Sequence, residues 1–122
     1  MELKPVLLDT NVLILALAGK QPYAAFLKKT IEEKTLLLSA IVVAEFLAGA
    51  TEEEEKLFSA LTGEFPVVNV DLPVSQLAAF YRKKCRSTGK KLKLPDCLIA
   101  ATAKAYKATL ITLDKSDYPQ ED

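Results

Sequence analysis

Four short apolar segments recur along this 122-residue chain, and longer segments with helical spacing lie between them. The apolar segments span residues 5–8, 36–38, 67–70 and 110–113. Short apolar strands that alternate with helices imply a parallel sheet covered on both faces, because the connecting helices pack against it. The predicted fold class is therefore α/β. The length is that of one domain, and no linker or repeat divides residues 1–122.

Local signals place the helices between these strands. We predict helices over residues 11–18, 22–34, 40–48, 52–61, 73–86 and 96–107. Ser39 is suited to cap the third helix, and Thr51 with Glu54 matches a capping box for the fourth. Pro73 is suited to the first turn of the fifth helix, and Pro95 opens the sixth. The tail from Lys115 is polar, so we expect it to be frayed.

The composition excludes several classes of site. The chain has no histidine, and its two cysteines, Cys85 and Cys97, do not form a CxxC pair. Classical zinc sites and histidine-based catalytic triads are therefore excluded. Free thiols predict a cytoplasmic protein. No apolar run reaches the roughly 18–20 residues that span a bilayer, so no membrane segment is expected.

Two aspartates directly follow predicted strands. Asp9 comes after the first strand and Asp114 after the last. In an open parallel sheet, ligands bind outside the carboxyl ends of the strands, so both side chains are expected at the same edge. The alternative for each is an ordinary turn residue, since Asp is common where a strand ends.

Two further acidic residues lie in strongly apolar helices. Glu45 stands within the apolar sequence SAIVVAEFLAGA. Its carboxylate is therefore expected either to be paired, hydrogen-bonded or bound to a cation, or to lie on a solvent face. Asp96 begins the helix DCLIAATAKAY, where a carboxylate is stabilised by the helix dipole. A plain capping role is the alternative for Asp96, but a buried helix would also bring its N-terminus to the edge that holds Asp9.

Convergence of these four carboxylates would require a counter-charge. At about 6 Å and an effective dielectric constant of about 20, each ionised pair repels by nearly 3 kcal/mol. A site of carboxylates without His or Cys favours hard ions such as Mg²⁺ or Mn²⁺. Such ions bridge to phosphates and support in-line phosphodiester hydrolysis. The sequence leaves open whether one ion or two would bind.

Four motifs carry a resemblance to a known family. LLDTNVLI at residues 7–14, SAIVVAEFLAG at 39–49, LPDCLIAATA at 94–103 and LITLDKSDY at 110–118 resemble the motifs of PIN domains, in the same order. The nearest similarity is to the small VapC-type toxins of prokaryotic toxin–antitoxin pairs, and it covers almost the whole chain. The resemblance implies a three-layer α/β/α sandwich with a mostly parallel sheet and a Mg²⁺- or Mn²⁺-dependent endoribonuclease.

The resemblance also assigns roles to individual residues. The family's acidic, metal-binding and catalytic positions fall on Asp9, Glu45, Asp96 and Asp114. Its small hydroxyl residue near the last strand falls on Thr112, and its polar pair after the first acid resembles Thr10 and Asn11. These would orient the carboxylates. Asp117, in the same final loop as Asp114, would assist or replace it; its alternative role is loop capping.

Partners are also implied by the resemblance. They are an RNA substrate, a small antitoxin protein and a second copy of the chain in a homodimer. Many such toxins continue into a final strand and tail, whereas this chain stops at Asp122, so we expect the last edge strand to be missing. That departure bears on the dimer and partner surfaces more than on the metal site.

A basic stretch precedes the predicted helix that begins at Asp96. Between Leu72 and Pro95 there is no acidic residue, although the net charge of the chain is zero. We expect this stretch either to hold RNA phosphates or to be a solvated helix end and loop. Its basic residues are Arg82, Lys83, Lys84, Arg86, Lys90, Lys91 and Lys93.

Other functions fit the sequence less well. A phosphatase of the haloacid-dehalogenase type needs a second Asp two residues after the first, and position 11 is Asn. A response-regulator receiver needs adjacent acids after the first strand, and Asp9 has no acidic neighbour. A catalytically silent PIN-fold module that binds RNA or protein usually lacks some of the acidic residues, and here all four are present.

Overall fold

The computed structural model describes residues 3–89, 92–113 and 118, which contain four strands and six helices. The strands are β1 (Val6–Leu8), β2 (Leu36–Ser39), β3 (Val67–Val68) and β4 (Thr109–Ile111). The helices are α1 (Thr10–Leu17), α2 (Tyr23–Glu32), α3 (Ala40–Ala48), α4 (Glu52–Glu64), α5 (Leu72–Ser87) and α6 (Leu94–Ala105).

The strands form one sheet in the order β3-β2-β1-β4, and each pairing is parallel. In the register of β1, Leu7 pairs with Leu37 of β2 on one side and with Leu110 of β4 on the other. The chain thus builds the sheet outward from β1 in one direction and then returns to add β4 on the opposite side. Ligands bind at such a switch point, outside the carboxyl ends of the strands.

Both faces of the sheet are covered. Successive side chains of a strand point to opposite faces, and Leu7 and Leu8 of β1 are both buried. The leucines of β2 are likewise all buried. Burying each such side chain contributes about 1.5–3 kcal/mol. The structure therefore confirms the predicted fold class, a three-layer α/β/α arrangement around a parallel sheet.

Most helix boundaries lie close to their predicted positions. Ser39 accepts a hydrogen bond from the backbone N–H of Ile41, and Thr51 with Glu54 forms the capping box. The fourth helix runs three residues beyond its predicted end, to Glu64, and α6 begins at Leu94. β3 is shorter than predicted and ends at Val68.

Helix α6 lies between two hydrophobic clusters. Ile99 and Ala103 belong to the main cluster with the strands, whereas Cys97 and Ala101 pack with residues of α5. Contacts on both sides fix the direction of α6 and therefore the position of its first turn. None of the helices in the described ranges has the length and apolar character that crossing a bilayer requires.

Candidate active site

A cavity of about 500 Å³ opens at the carboxyl edge of the sheet, beside the end of β1. The first turns of α1 and α6 border it, and α3 contributes one side chain. Its walls combine acidic, polar and apolar groups. The lining residues are Asp9, Thr10, Asn11, Ile14, Glu45, Leu92, Lys93, Pro95, Asp96 and Tyr118.

Asp9 is the most deeply placed acid of the cavity, with 4% of its surface exposed. Its Oδ1 accepts a hydrogen bond from the backbone N–H of Val12 at 2.9 Å, so the side chain caps α1. Its own backbone N–H donates to the carbonyl of Ile111, which ties the end of β1 to β4. The Asp9 side chain therefore both caps α1 and lines the cavity.

Glu45 is exposed to solvent, although its neighbours along α3 are apolar. Of the two alternatives for Glu45, the structure therefore shows the one in which its side chain lies on a solvent face. The side chain nevertheless lines the cavity, and its Oε1 accepts a hydrogen bond from the Thr10 hydroxyl at 2.6 Å. That contact joins the first turn of α1 to the middle of α3.

Asp96 lies in the first turn of α6 and is half-buried. The helix begins after Lys93, which gives no side-chain capping bond. The structure thus brings Asp9, Glu45 and Asp96 to one cavity from three different helices or their caps. Asp114 and Asp117 lie outside the described residues.

The donor set of the cavity suits a hard cation held partly through water. The chain has no histidine, and neither cysteine lines the cavity. Within residues 3–89, 92–113 and 118, no three acidic or cysteine side chains stand close enough to hold an ion together. Mg²⁺ keeps several waters and is usually held through one or two carboxylates, so the carboxylates present fit it.

Tyr118 is a cavity residue that sequence reasoning missed. It is 6% exposed, and its hydroxyl donates to Asp9 Oδ2 at 3.1 Å. Burial first, and then the carboxylates of Asp9, Asp96 and Glu45, raise the pKa of this hydroxyl far above its usual range. The expectation of a frayed tail is therefore wrong at Tyr118; the rest of that segment lies outside the described residues.

The remaining predicted residues divide into near and distant groups. Thr10, Asn11 and Lys93 line the cavity. Thr112 directly follows β4 and is half-buried. Among the other predicted RNA contacts, Lys90 and Lys91 lie outside the described residues. Those on the last turns of α5 do not line the cavity; they are Arg82, Lys83, Lys84 and Arg86.

The two cysteines are free, as the sequence predicts. Cys97 is buried between α5 and α6, and burial and then the nearby Cys85 raise the pKa of its thiol. An uncharged buried thiol behaves as a small apolar side chain. Cys97 is thus part of the packing that supports Asp96.

Comparisons with known proteins point to one family. The sequence model of the family described as PIN domain matches residues 6–118. Ribonuclease VapC10 of Mycobacterium tuberculosis is 27% identical over 114 residues, which cover 93% of this chain and 86% of that protein.

Solved structures show the same similarity in three dimensions. One is a toxin–antitoxin complex from Klebsiella pneumoniae, with a TM-score of 0.74 and 26% identity over 92% of this chain and 88% of that chain. Another is FitAcB from Neisseria gonorrhoeae, with a TM-score of 0.72 and 31% identity over 93% of this chain and 90% of that chain.

Proposed function

Since the chain belongs to the PIN-domain family, we propose that it is a metal-dependent endoribonuclease that hydrolyses phosphodiester bonds of RNA. The observation that carries the proposal is the convergence of Asp9, Glu45 and Asp96 on one cavity at the switch point of the sheet. The similarity of the chain to Ribonuclease VapC10 supports the choice of RNA as substrate. We take residues 1–122 as the single domain that carries this activity.

The proposed cofactor is Mg²⁺ or Mn²⁺, as one ion or two. A bound ion would neutralise the cavity's negative charge, orient the scissile phosphate and make water a better nucleophile. Asp9, Glu45 and Asp96 would hold it partly through bound water rather than all three directly, and Asp114 is proposed as a fourth acidic group. Thr10 orients Glu45 through its hydroxyl, which keeps one carboxylate oxygen in a fixed position. Asn11, Thr112 and Asp117 are proposed as further orienting groups.

Metal dependence gives the direct test of this proposal. Purified protein is incubated with single-stranded RNA in Mn²⁺, in Mg²⁺ and in excess chelator, and the products are separated by size. We expect cleavage with at least one ion and none with chelator. Cleavage that persists in chelator would contradict the proposed chemistry. RNA binding without cleavage under every condition would favour a silent binding module instead.

Lys93 is proposed to hold a substrate phosphate. It is exposed at the start of α6 and is the only basic residue among those described that lines the cavity. A lysine beside carboxylates can contact the RNA backbone while a cation occupies the acidic groups. The remaining basic residues of the stretch would extend this surface and contribute to a salt-dependent affinity.

We expect Lys93→Ala to raise the KM for RNA and to reduce the salt slope of binding by about 0.7, the value for one lost phosphate contact on a single strand. Lys104→Ala, in the last turn of the same helix, is the matched control and should leave both quantities unchanged. Binding titrations at several salt concentrations measure the effect. A salt slope equal to that of the wild type would remove Lys93 from the RNA surface.

The proposed partners are a small antitoxin protein and a second copy of the chain. A toxin–antitoxin complex among the similar structures supports the former. Light scattering should report twice the 13.4 kDa mass of one chain, and a monomer at all concentrations would contradict the homodimer.

Purification of the protein from its native cells should recover a small protein bound to it. The absence of such a protein would contradict the proposed antitoxin. The cytoplasmic location stays a prediction that cell fractionation would test.

A further inference from the structure

We propose that Tyr118 is a positioning residue, whose hydroxyl holds the Asp9 carboxylate in the orientation that the cavity needs for a divalent cation. The inference rests on the proposed function, and it concerns a side chain that lies 109 positions from Asp9 in the sequence. Tyr118 would act only through Asp9.

Two hydrogen bonds from different parts of the chain fix the Asp9 carboxylate. The backbone N–H of Val12 donates to Oδ1 at 2.9 Å, and the Tyr118 hydroxyl donates to Oδ2 at 3.1 Å. With one donor on each oxygen, rotation of the carboxylate would break at least one bond. A carboxylate oxygen has two lone pairs, so each oxygen of Asp9 keeps one for a further ligand.

The ring and the hydroxyl of Tyr118 have separate roles. The ring packs in the main hydrophobic cluster, together with side chains of β1 and α1. The hydroxyl reaches the polar cavity, as a buried tyrosine commonly does when one end is apolar and the other polar. Removal of the hydroxyl alone should therefore leave the packing in place.

An uncharged donor suits this position because it orients the carboxylate without neutralising it. A lysine or arginine at the same place would pair with Asp9 and compete with a divalent cation for its charge. The tyrosine hydroxyl gives direction to the carboxylate and leaves its charge for the cation. Groups that orient metal ligands in this way typically affect metal affinity about 10- to 100-fold.

Tyr118→Phe tests the inference, and Tyr106→Phe is the matched control, since Tyr106 is exposed at the end of α6, away from the cavity lining. Mn²⁺ binding is measured by calorimetry without RNA, beside the Tm without metal and the kinetics of cleavage. We expect Tyr118→Phe to weaken Mn²⁺ binding about 10-fold and to lower kcat more than it changes KM. The metal-free Tm should fall by only about 4 °C. Tyr106→Phe should change none of these.

Mn²⁺ affinity equal to that of the wild type would overturn the inference. A large fall in the metal-free Tm together with weaker Mn²⁺ binding would also overturn it, because the role would then be structural. The two proposals fail separately. If the wild type binds Mn²⁺ more tightly than Tyr118→Phe does but cuts no RNA, only the proposed nuclease activity is contradicted. Cleavage with undiminished Mn²⁺ binding by Tyr118→Phe contradicts only the positioning role.

Discussion

Replacement of Asp96 by asparagine is expected to lower the rate of RNA cleavage about 100-fold or more, because it removes a charged ligand from the proposed metal site. Asp96 is half-buried in the first turn of α6, and its neighbours in the cavity are the carboxylates of Asp9 and Glu45. Asparagine keeps the size of the side chain. Loss of one negative charge also relieves repulsion among the three acids, which offsets the weaker interaction with the helix dipole. The Tm of the metal-free protein should therefore change little.

Asp71→Asn is the matched control for this substitution. Asp71 accepts a hydrogen bond from the backbone N–H of Val74 and caps α5, a position where asparagine serves equally well. It does not line the cavity. Cleavage kinetics with Mn²⁺ should thus separate the two variants. Asp96→Asn protein with wild-type kinetics would exclude Asp96 from the site.

Replacement of Phe58 by alanine is expected to cost about 3–5 kcal/mol of folding free energy. Phe58 is 1% exposed and stacks on Phe46, with ring centroids 4.5 Å apart. The truncation removes this aromatic contact and leaves a cavity between α3 and α4. Domains of this kind are stable by only about 5–15 kcal/mol, so the variant should unfold at a much lower urea concentration.

Phe80→Ala is the control for Phe58→Ala, since Phe80 is 55% exposed on α5. A surface substitution of this kind should change stability by only about 0.5 kcal/mol. The chain has no tryptophan, so circular dichroism is the suitable probe of unfolding in urea. Equal midpoints for the two variants would contradict the packing of Phe58 described above.

Features set by local sequence were predictable. The alternation of apolar strands and helices gives the parallel sheet, and Ser39 and Thr51 mark helix starts through side chains that bond the nearest backbone N–H groups. The position of Asp9 at the edge of the sheet follows because it comes directly after a buried strand. The predicted roles of the acidic residues in metal binding and catalysis stay predictions.

Features set by contacts between distant residues were not predictable. Tyr118 stands in a polar segment that predicts a frayed tail, and only its packing against the core and its bond to Asp9 reveal its position. An aromatic residue within such a polar segment is the one sequence signal that could have indicated its buried position. The exposure of Glu45 could not be decided either, because its neighbours along α3 are apolar and its partner Thr10 lies 35 positions away.

The hydrogen bond between Tyr118 and Asp9 places the two ends of the sequence in one cavity. A ribosome that adds about 5–20 residues per second needs roughly 5–20 s to proceed from residue 9 to residue 118. During that interval the growing chain holds Asp9 without the group that fixes its carboxylate. The complete cavity therefore cannot form until translation has passed residue 118, although the strand that precedes Asp9 is made at the start.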